Sequence, residues 1–232
     1  MYQPLADLLR PTTLDEVYGQ EHILGQGAVL RRLIDSGNIP NMIFYGPSGT
    51  GKTTVANIIA KQTNRALYKL NATTASTSDI KEIVAQLDTF MAPNGVLLYL
   101  DEIQSFNKKQ QQSLLEHIEN GKITLIASTT ENPYFEVNGA LSSRSTIFEL
   151  KPLSGEDVRT LIMRAVYDGE KGMGMYNAQI DDDAADFLAD VAEGDARRAL
   201  SAVELGVLTT EPSEDGKIHI TREIAQECIQ RR

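Results

Sequence analysis

Eight consecutive residues, Gly46-Pro47-Ser48-Gly49-Thr50-Gly51-Lys52-Thr53, combine three glycines, a lysine and a hydroxyl at the spacing G-x-x-x-x-G-K-[ST]. Glycine is needed there because a backbone that wraps an anion with its N–H groups inward must adopt dihedrals that side chains obstruct. The helix expected to start near Lys52 adds the partial positive charge of its N-terminus. In such a loop the lysine reaches the β- and γ-phosphates of a nucleoside triphosphate and the Thr53 hydroxyl ligates Mg²⁺. Thr54, the next residue, completes the candidate cofactor-binding stretch for ATP and Mg²⁺.

A second constellation lies downstream. The apolar run 96–100 ends in Asp101 and Glu102, and the C-terminal ends of strands form the ligand crevice of a parallel α/β sheet. Alone, such a run is more often a plain strand end. Paired with the glycine loop, Asp101 is the expected partner of the magnesium shell, and Glu102 the residue that orients and deprotonates the attacking water. A further β-like run, 123–127, delivers Ser128, Thr129 and Thr130 to the same edge. Thr129 is the first choice for holding that water, although a strand-end threonine is commonly a turn former.

The elements that position these groups follow from periodicity. Short β-like runs at 42–45, 66–70, 96–100, 123–127 and 146–150 alternate with segments of helical period, which predicts a parallel sheet with helices on both faces. Val55, Ile58 and Ile59 form one core-facing stripe, and Leu114, Leu115 and Ile118 another. After Leu150 the texture changes. Lys151-Pro152-Leu153-Ser154-Gly155 reads as a linker with a helix cap, and helical stripes follow at Val158/Leu161/Ile162/Ala165, Ala184/Phe187/Leu188/Val191 and Leu200/Val203/Val207. The glycine-rich stretch 167–179 reads as a loop, and 217–220 as a short strand before a last helix from Thr221. The expected division is a nucleotide-binding α/β domain over 1–152 and a small helical domain over 153–232.

Composition bounds the rest. A chain of 232 residues with 41% hydrophobic content can bury a sizeable core. Cys228 is the single cysteine, which excludes an internal disulfide, and the three histidines lack metal-ligand spacing. There is no signal pattern at MYQPLADLLR and no run near the ~18 apolar residues that cross a bilayer, so a cytoplasmic protein, nucleoid-associated if bacterial, with no membrane partner, is expected. With 22 Lys plus Arg against 32 Asp plus Glu, the net charge is -10, so any contact with a polyanion must be local.

The glycine loop, the Asp101-Glu102 pair, Ser128-Thr129-Thr130-Glu131-Asn132-Pro133, Leu141-Ser142-Ser143-Arg144 and Gly194-Asp195-Ala196-Arg197-Arg198-Ala199-Leu200 resemble, in that order, the AAA+ ATPases of the clamp-loader clade. Leu5-Ala6-Asp7-Leu8-Leu9-Arg10-Pro11, Gly19-Gln20-Glu21-His22 and Thr129-Thr130-Glu131-Asn132-Pro133 are similar to the replication-associated recombination protein A family, relatives of the Werner-helicase-interacting ATPases. The likeness spans essentially the whole chain. It implies a P-loop NTPase of AAA+ type, with a five-stranded parallel sheet flanked by helices and a small helical lid domain.

The resemblance also implies roles. Arg144 would be the arginine finger inserted into a neighbouring subunit's site, where a planar cation stabilises the charge redistributed over the γ-phosphate; a surface salt bridge is the plain alternative. Arg197 would be the lid arginine that touches the phosphates of its own subunit, with Arg198 turned to solvent or a carboxylate. Val17 and Tyr18, within Val17-Tyr18-Gly19-Gln20, would line the adenine side. Asn71 would hold the catalytic glutamate away from water until DNA or a partner binds. Family members usually continue past the length of this chain into a helical domain associated with tetramers. The implied activity is DNA-dependent ATP hydrolysis at stalled or damaged forks, in a homo-oligomer that meets forked, gapped or single-stranded DNA ends and works beside single-strand-binding protein and other replication proteins. DNA contacts would fall at Ser76 to Asp79 and Asn107 to Lys109. The alternatives are a clamp-loader-like or nucleotide-gated assembly subunit, and a small-molecule kinase, which leaves Arg144 and Arg197 unexplained.

Overall fold

The computed structural model describes residues 2–87, 94–121 and 123–229. Contacts divide the chain into Thr12–Lys151 and a second unit made of Met1–Pro11 with Pro152–Arg232. In the first unit, strands β1 (Met42–Tyr45), β2 (Ala66–Asn71), β3 (Val96–Asp101), β4 (Ile123–Thr129) and β5 (Thr146–Glu149) form one sheet in the order β2-β3-β4-β1-β5. All four pairings are parallel. Parallel strands lie covered on both faces, and β3 is accordingly buried at every residue from Val96 to Leu100.

The pleat sends alternate residues to opposite faces. Leu97 and Tyr99 of β3 join Ile126 of β4 in one cluster, beside Val55, Ala56, Ile58 and Ile59 of the helix Lys52–Gln62. Leu98 and Leu100 join Leu125 and Ala127 in the other, under Leu114, Leu115 and Ile118 of the helix Lys108–Glu119. Burying each such side chain contributes about 1.5–3 kcal/mol, so both helices are held by their apolar stripes. The second helix is also capped locally. Gln110 N–H donates to Asn107 Oδ1 at 2.8 Å, and Asn107 N–H donates back to Gln110 Oε1 at 2.9 Å.

The second unit holds the helices Gly155–Tyr167, Asp182–Val191, Ala196–Thr209 and Arg222–Cys228. Two features differ from expectation. Residues 178–179, read as part of a glycine-rich loop, start a three-residue strand, β6 (Ala178–Ile180), that pairs in parallel with β7 (Ile218–Ile220). Three residues carry no readable period, and only the partner some forty residues onward makes them a strand. Residues 1–11, expected in the nucleotide-binding domain, group instead with the helical unit. Leu5 N–H donates to Glu204 Oε2 at 2.7 Å and Tyr2 OH to Glu204 Oε1 at 2.5 Å, which ties this segment to the helix Ala196–Thr209.

Candidate functional site

The loop between β1 and the helix Lys52–Gln62 is positioned by what lies beneath it. Gly46 N–H donates to Thr129 O at 3.2 Å, and a Cβ on Gly46 would stand 2.1 Å from Leu150 O, so glycine is required by close backbone approach. Gly51, at φ +97°, takes the left-handed conformation that precedes the helix. Pro47 and Ser48 are exposed, Gly49 is half-buried and Thr50 is buried with its hydroxyl donating to Pro47 O at 2.9 Å. Lys52 is buried, and its ammonium donates to Gly46 O and, at 2.9 Å, to Pro47 O. Its charge is thus held inside the loop's own curve.

Gln20 is fully buried and joins two distant segments. Its Nε2 donates to Thr50 O at 3.2 Å and to Lys151 O at 2.7 Å, while its Oε1 accepts from Lys151 N–H at 2.9 Å. The loop is therefore clasped to the chain that leaves β5. The sequence places Gln20 in the adenine-side segment Val17-Tyr18-Gly19-Gln20, and this clasp between distant segments is not legible there. Its neighbour Val17 packs at the edge of the cluster beneath the Lys52–Gln62 helix, and Tyr18 is half-buried.

Across the sheet edge, a chain of side-chain bonds links the two motifs. Thr53 Oγ1 lies 3.2 Å from the Tyr99 hydroxyl, Tyr99 also bonds Ser128, and Ser128 Oγ donates to Asp101 Oδ1. Alternation explains it: Tyr99 and Asp101 share the face of β3 that carries the phosphate-loop helix, and Ser128 shares the matching face of β4. Burial, the largest influence, pushes the Tyr99 phenol up from its ordinary value, so it stays protonated and able to donate through the neutral range. A tyrosine within the apolar run 96–100 reads as core, so the role of Tyr99 is legible only in the fold. From position alone the two strand-end hydroxyls of Ser128 and Thr129 are equivalent; the fold gives Asp101 to Ser128.

Thr129 is buried, and its hydroxyl accepts from Glu131 N–H at 3.0 Å while its carbonyl receives Gly46 N–H. It braces the end of β4 against the loop. Glu102 follows Asp101 directly in a left-handed conformation, φ 57° and ψ 46°, which costs a non-glycine residue about 1–2 kcal/mol. Its Oε2 accepts from Gln104 Nε2 at 2.5 Å. Asn71, by contrast, uses its Oδ1 to accept from Thr73 N–H at 2.9 Å and Thr73 Oγ1 at 2.6 Å, so the described partner of Glu102 is Gln104.

Arg144 caps the short helix Gly139–Ser143 and is half-exposed, with Nη2 3.0 Å from Glu119 Oε1 and Nη1 donating to Ala140 O at 3.1 Å. An exposed ion pair of this kind contributes at most about 1 kcal/mol, so the guanidinium is readily released. In the helical unit, Arg197 donates through Nε and Nη2 to both oxygens of Asp195, at 3.1 and 3.0 Å. The Asp195 bond is the leading cause that raises its pKa. Arg198 instead reaches Val191 O at 3.0 Å. Of the two helix starts named for DNA, the one at Ser76 carries a carboxylate, since Asp79 Oδ2 accepts Ser76 N–H at 2.8 Å. The other presents Lys108 and Lys109 exposed beside the Asn107 cap.

Among the described residues no helix is long and apolar enough to cross a membrane, and no group of three or more His, Cys, Asp and Glu stands as a metal cluster. Residues 42–153 match the ATPase family associated with various cellular activities (AAA), and residues 174–232 match the AAA C-terminal domain. Replication-associated recombination protein A of Bacillus subtilis (strain 168) is 44% identical over 230 residues, 99% of this chain and 54% of the relative. That of Escherichia coli (strain K12) is 39% identical over 97% of this chain and 51% of the relative. The chain spans about half the length of these curated relatives. Among solved structures, the RuvB Holliday junction branch migration motor of Thermotoga maritima aligns with a TM-score of 0.73 at 25% identity, over 95% of this chain and 72% of that one. Sheet order, glycine loop, helical C-terminal unit and relatives agree: the chain belongs to the replication-associated recombination protein A family of AAA ATPases.

Proposed function

We propose that this chain binds ATP with Mg²⁺ at the Gly46-to-Thr53 loop and hydrolyses it, as one subunit of a homo-oligomer that acts on DNA at stalled or damaged replication forks. The observation that carries the reading is the bonded chain Thr53–Tyr99–Ser128–Asp101, which puts the loop hydroxyl and the strand-end carboxylate on one face. Both are hard oxygen donors of the kind Mg²⁺ takes together with phosphate and water, so these residues fit the ion. When bound, the ion neutralises charge on the β- and γ-phosphates.

The remaining chemistry belongs to the chain. Lys52 exchanges its loop carbonyls for phosphate oxygens. Glu102 accepts a proton from water while the water oxygen bonds the γ-phosphorus and the bridging bond breaks toward ADP, so ATP and water become ADP and phosphate. Thr129 holds the end of β4 where that water sits. Arg144 leaves Glu119 to enter the adjacent subunit, Arg197 touches the phosphates from the lid, and Val17 and Tyr18 border the adenine. DNA meets the exposed Lys108 and Lys109, because a local basic pair at a helix start can hold phosphate despite the acidic total. The family relationship supports the nucleotide and recombination parts of this reading.

The test is the ATPase rate of the oligomeric protein with and without forked or gapped DNA, beside Glu102→Gln. DNA-stimulated turnover that Glu102→Gln removes, with ATP still bound, is expected. An unstimulated rate in intact oligomer refutes the DNA role, and full turnover in Glu102→Gln refutes the hydrolytic assignment.

A further inference from the structure

Two hydroxyls outside the glycine loop and the acidic pair stand behind the oxygens that would meet the cation. Tyr99 lies in the apolar run of β3 and Ser128 near the end of β4, and both are buried. A buried hydroxyl costs free energy unless it is hydrogen-bonded, so the partner each one holds matters. Thr53 Oγ1 donates to the Tyr99 hydroxyl at 3.2 Å. A hydroxyl has a single hydrogen to give. With that hydrogen directed at Tyr99, Thr53 Oγ1 has its lone pairs to offer a cation.

Asp101 is held by a second hydroxyl. Register pairs Leu100 of β3 with Ala127 of β4, so the next residues, Asp101 and Ser128, stand side by side on one face. Ser128 Oγ donates to Asp101 Oδ1, and Glu102 N–H donates to the same oxygen at 3.0 Å. A carboxylate oxygen has about two lone-pair sites, so Oδ1 is filled by these two donors. Among the described residues Oδ2 accepts no hydrogen bond. Asp101 is thereby left to meet a cation through Oδ2 alone.

We propose that Ser128 is a positioning residue that makes Asp101 a single-oxygen partner of the divalent cation, and that it thereby sets the preference of the site for Mg²⁺ over Ca²⁺. The proposal rests on the reading of Asp101 as part of the magnesium shell. Mg²⁺ demands near-octahedral geometry at about 2.0–2.1 Å, whereas Ca²⁺ accepts roughly six to eight oxygens at about 2.3–2.6 Å and takes a carboxylate through one oxygen or both. A carboxylate pinned from behind suits the smaller ion. One whose Oδ1 is released can turn and present both oxygens, which suits the larger. Thr129 does not replace Ser128 in this task, since successive strand residues face opposite ways and its Oγ1 accepts Glu131 N–H.

Binding of a non-hydrolysable ATP analogue to the intact protein is titrated with Mg²⁺ and with Ca²⁺, and repeated in EDTA. In Ser128→Ala the Mg²⁺ concentration for half-maximal binding is expected to rise about three- to tenfold, the effect of losing one bond that orients a charged group. The corresponding Ca²⁺ concentration and the affinity in EDTA should each change by less than about twofold, because a flexible shell tolerates a turned carboxylate. An unchanged Mg²⁺ requirement overturns the proposal. Equal rises for both ions overturn it too, since they mark a general loss of cation binding. A loss of affinity in EDTA as large as the Mg²⁺ shift also overturns it and makes Ser128 a support for the fold. Asp101→Asn separates the proposal from the reading beneath it. If that variant keeps the wild-type Mg²⁺ requirement, Asp101 lies outside the shell and the role of Ser128 falls with it. If Asp101→Asn raises the requirement while Ser128→Ala does not, only the role of Ser128 falls.

Discussion

Two glycines of the same phosphate loop are expected to respond differently to the same substitution. In Gly46→Ala, the new Cβ meets Leu150 O at 2.1 Å and Leu150 C at 3.1 Å, whereas a carbon beside a carbonyl oxygen ordinarily sits about 3.3–3.6 Å away. The backbones must part by about 1 Å or more, at a point fixed by Leu150 N–H to Tyr45 O at 2.8 Å and Gly46 N–H to Thr129 O at 3.2 Å. Breaking each buried bond costs about 1–3 kcal/mol, or about 2–6 kcal/mol in all, a large part of a typical stability of about 5–15 kcal/mol. For a chain of this size that lowers the unfolding midpoint by roughly 5–20 °C. Gly51→Ala meets nothing within 4 Å among the described residues, so the opposition counted here is its positive φ, at about 1–2 kcal/mol. Thermal unfolding of the nucleotide-free proteins, followed by circular dichroism, measures both. A Gly46→Ala midpoint at or above that of Gly51→Ala would refute the claim that close packing against the end of β5, rather than phosphate binding alone, requires glycine at position 46.

Tyr99→Phe removes the hydroxyl shared by Thr53 and Ser128; at about 1 kcal/mol for a lost bond, the Mg²⁺ concentration for half-maximal nucleotide binding should rise about fivefold, as read by a metal titration. Gln20→Leu strands both backbone groups of Lys151 and the Thr50 carbonyl and should lower stability by about 2–4 kcal/mol in urea unfolding, with weaker ATP binding because the loop loses its clasp. Lys52→Ala should abolish nucleotide binding in an equilibrium binding assay, since the charge that replaces the loop carbonyls with phosphate is gone. Arg144→Ala should bind ATP normally yet lose hydrolysis, and mixtures with Lys52→Ala subunits should recover part of it; mixtures with no recovery exclude action in trans.

Local chemistry was legible in the order of residues. The glycine loop, the helix from Lys52, the apolar strand ending in Asp101 and Glu102, and the stripes of the helices each depend on neighbours within a few positions, where backbone preference and period act. What the tertiary structure alone decided depends on pairing across long separations. Gln20 acquires its task only where Thr50 and Lys151 meet it. Ser128, rather than the adjacent Thr129, bonds Asp101 because the register of β4 against β3 selects which of two consecutive hydroxyls shares the face of the carboxylate. β6 exists because β7 lies beside it, and residues 1–11 join the helical unit because Glu204 receives them. A sequence sets which groups can bond; strand parity and long-range packing choose among nearly equivalent candidates, and that choice appears only once the chain is folded.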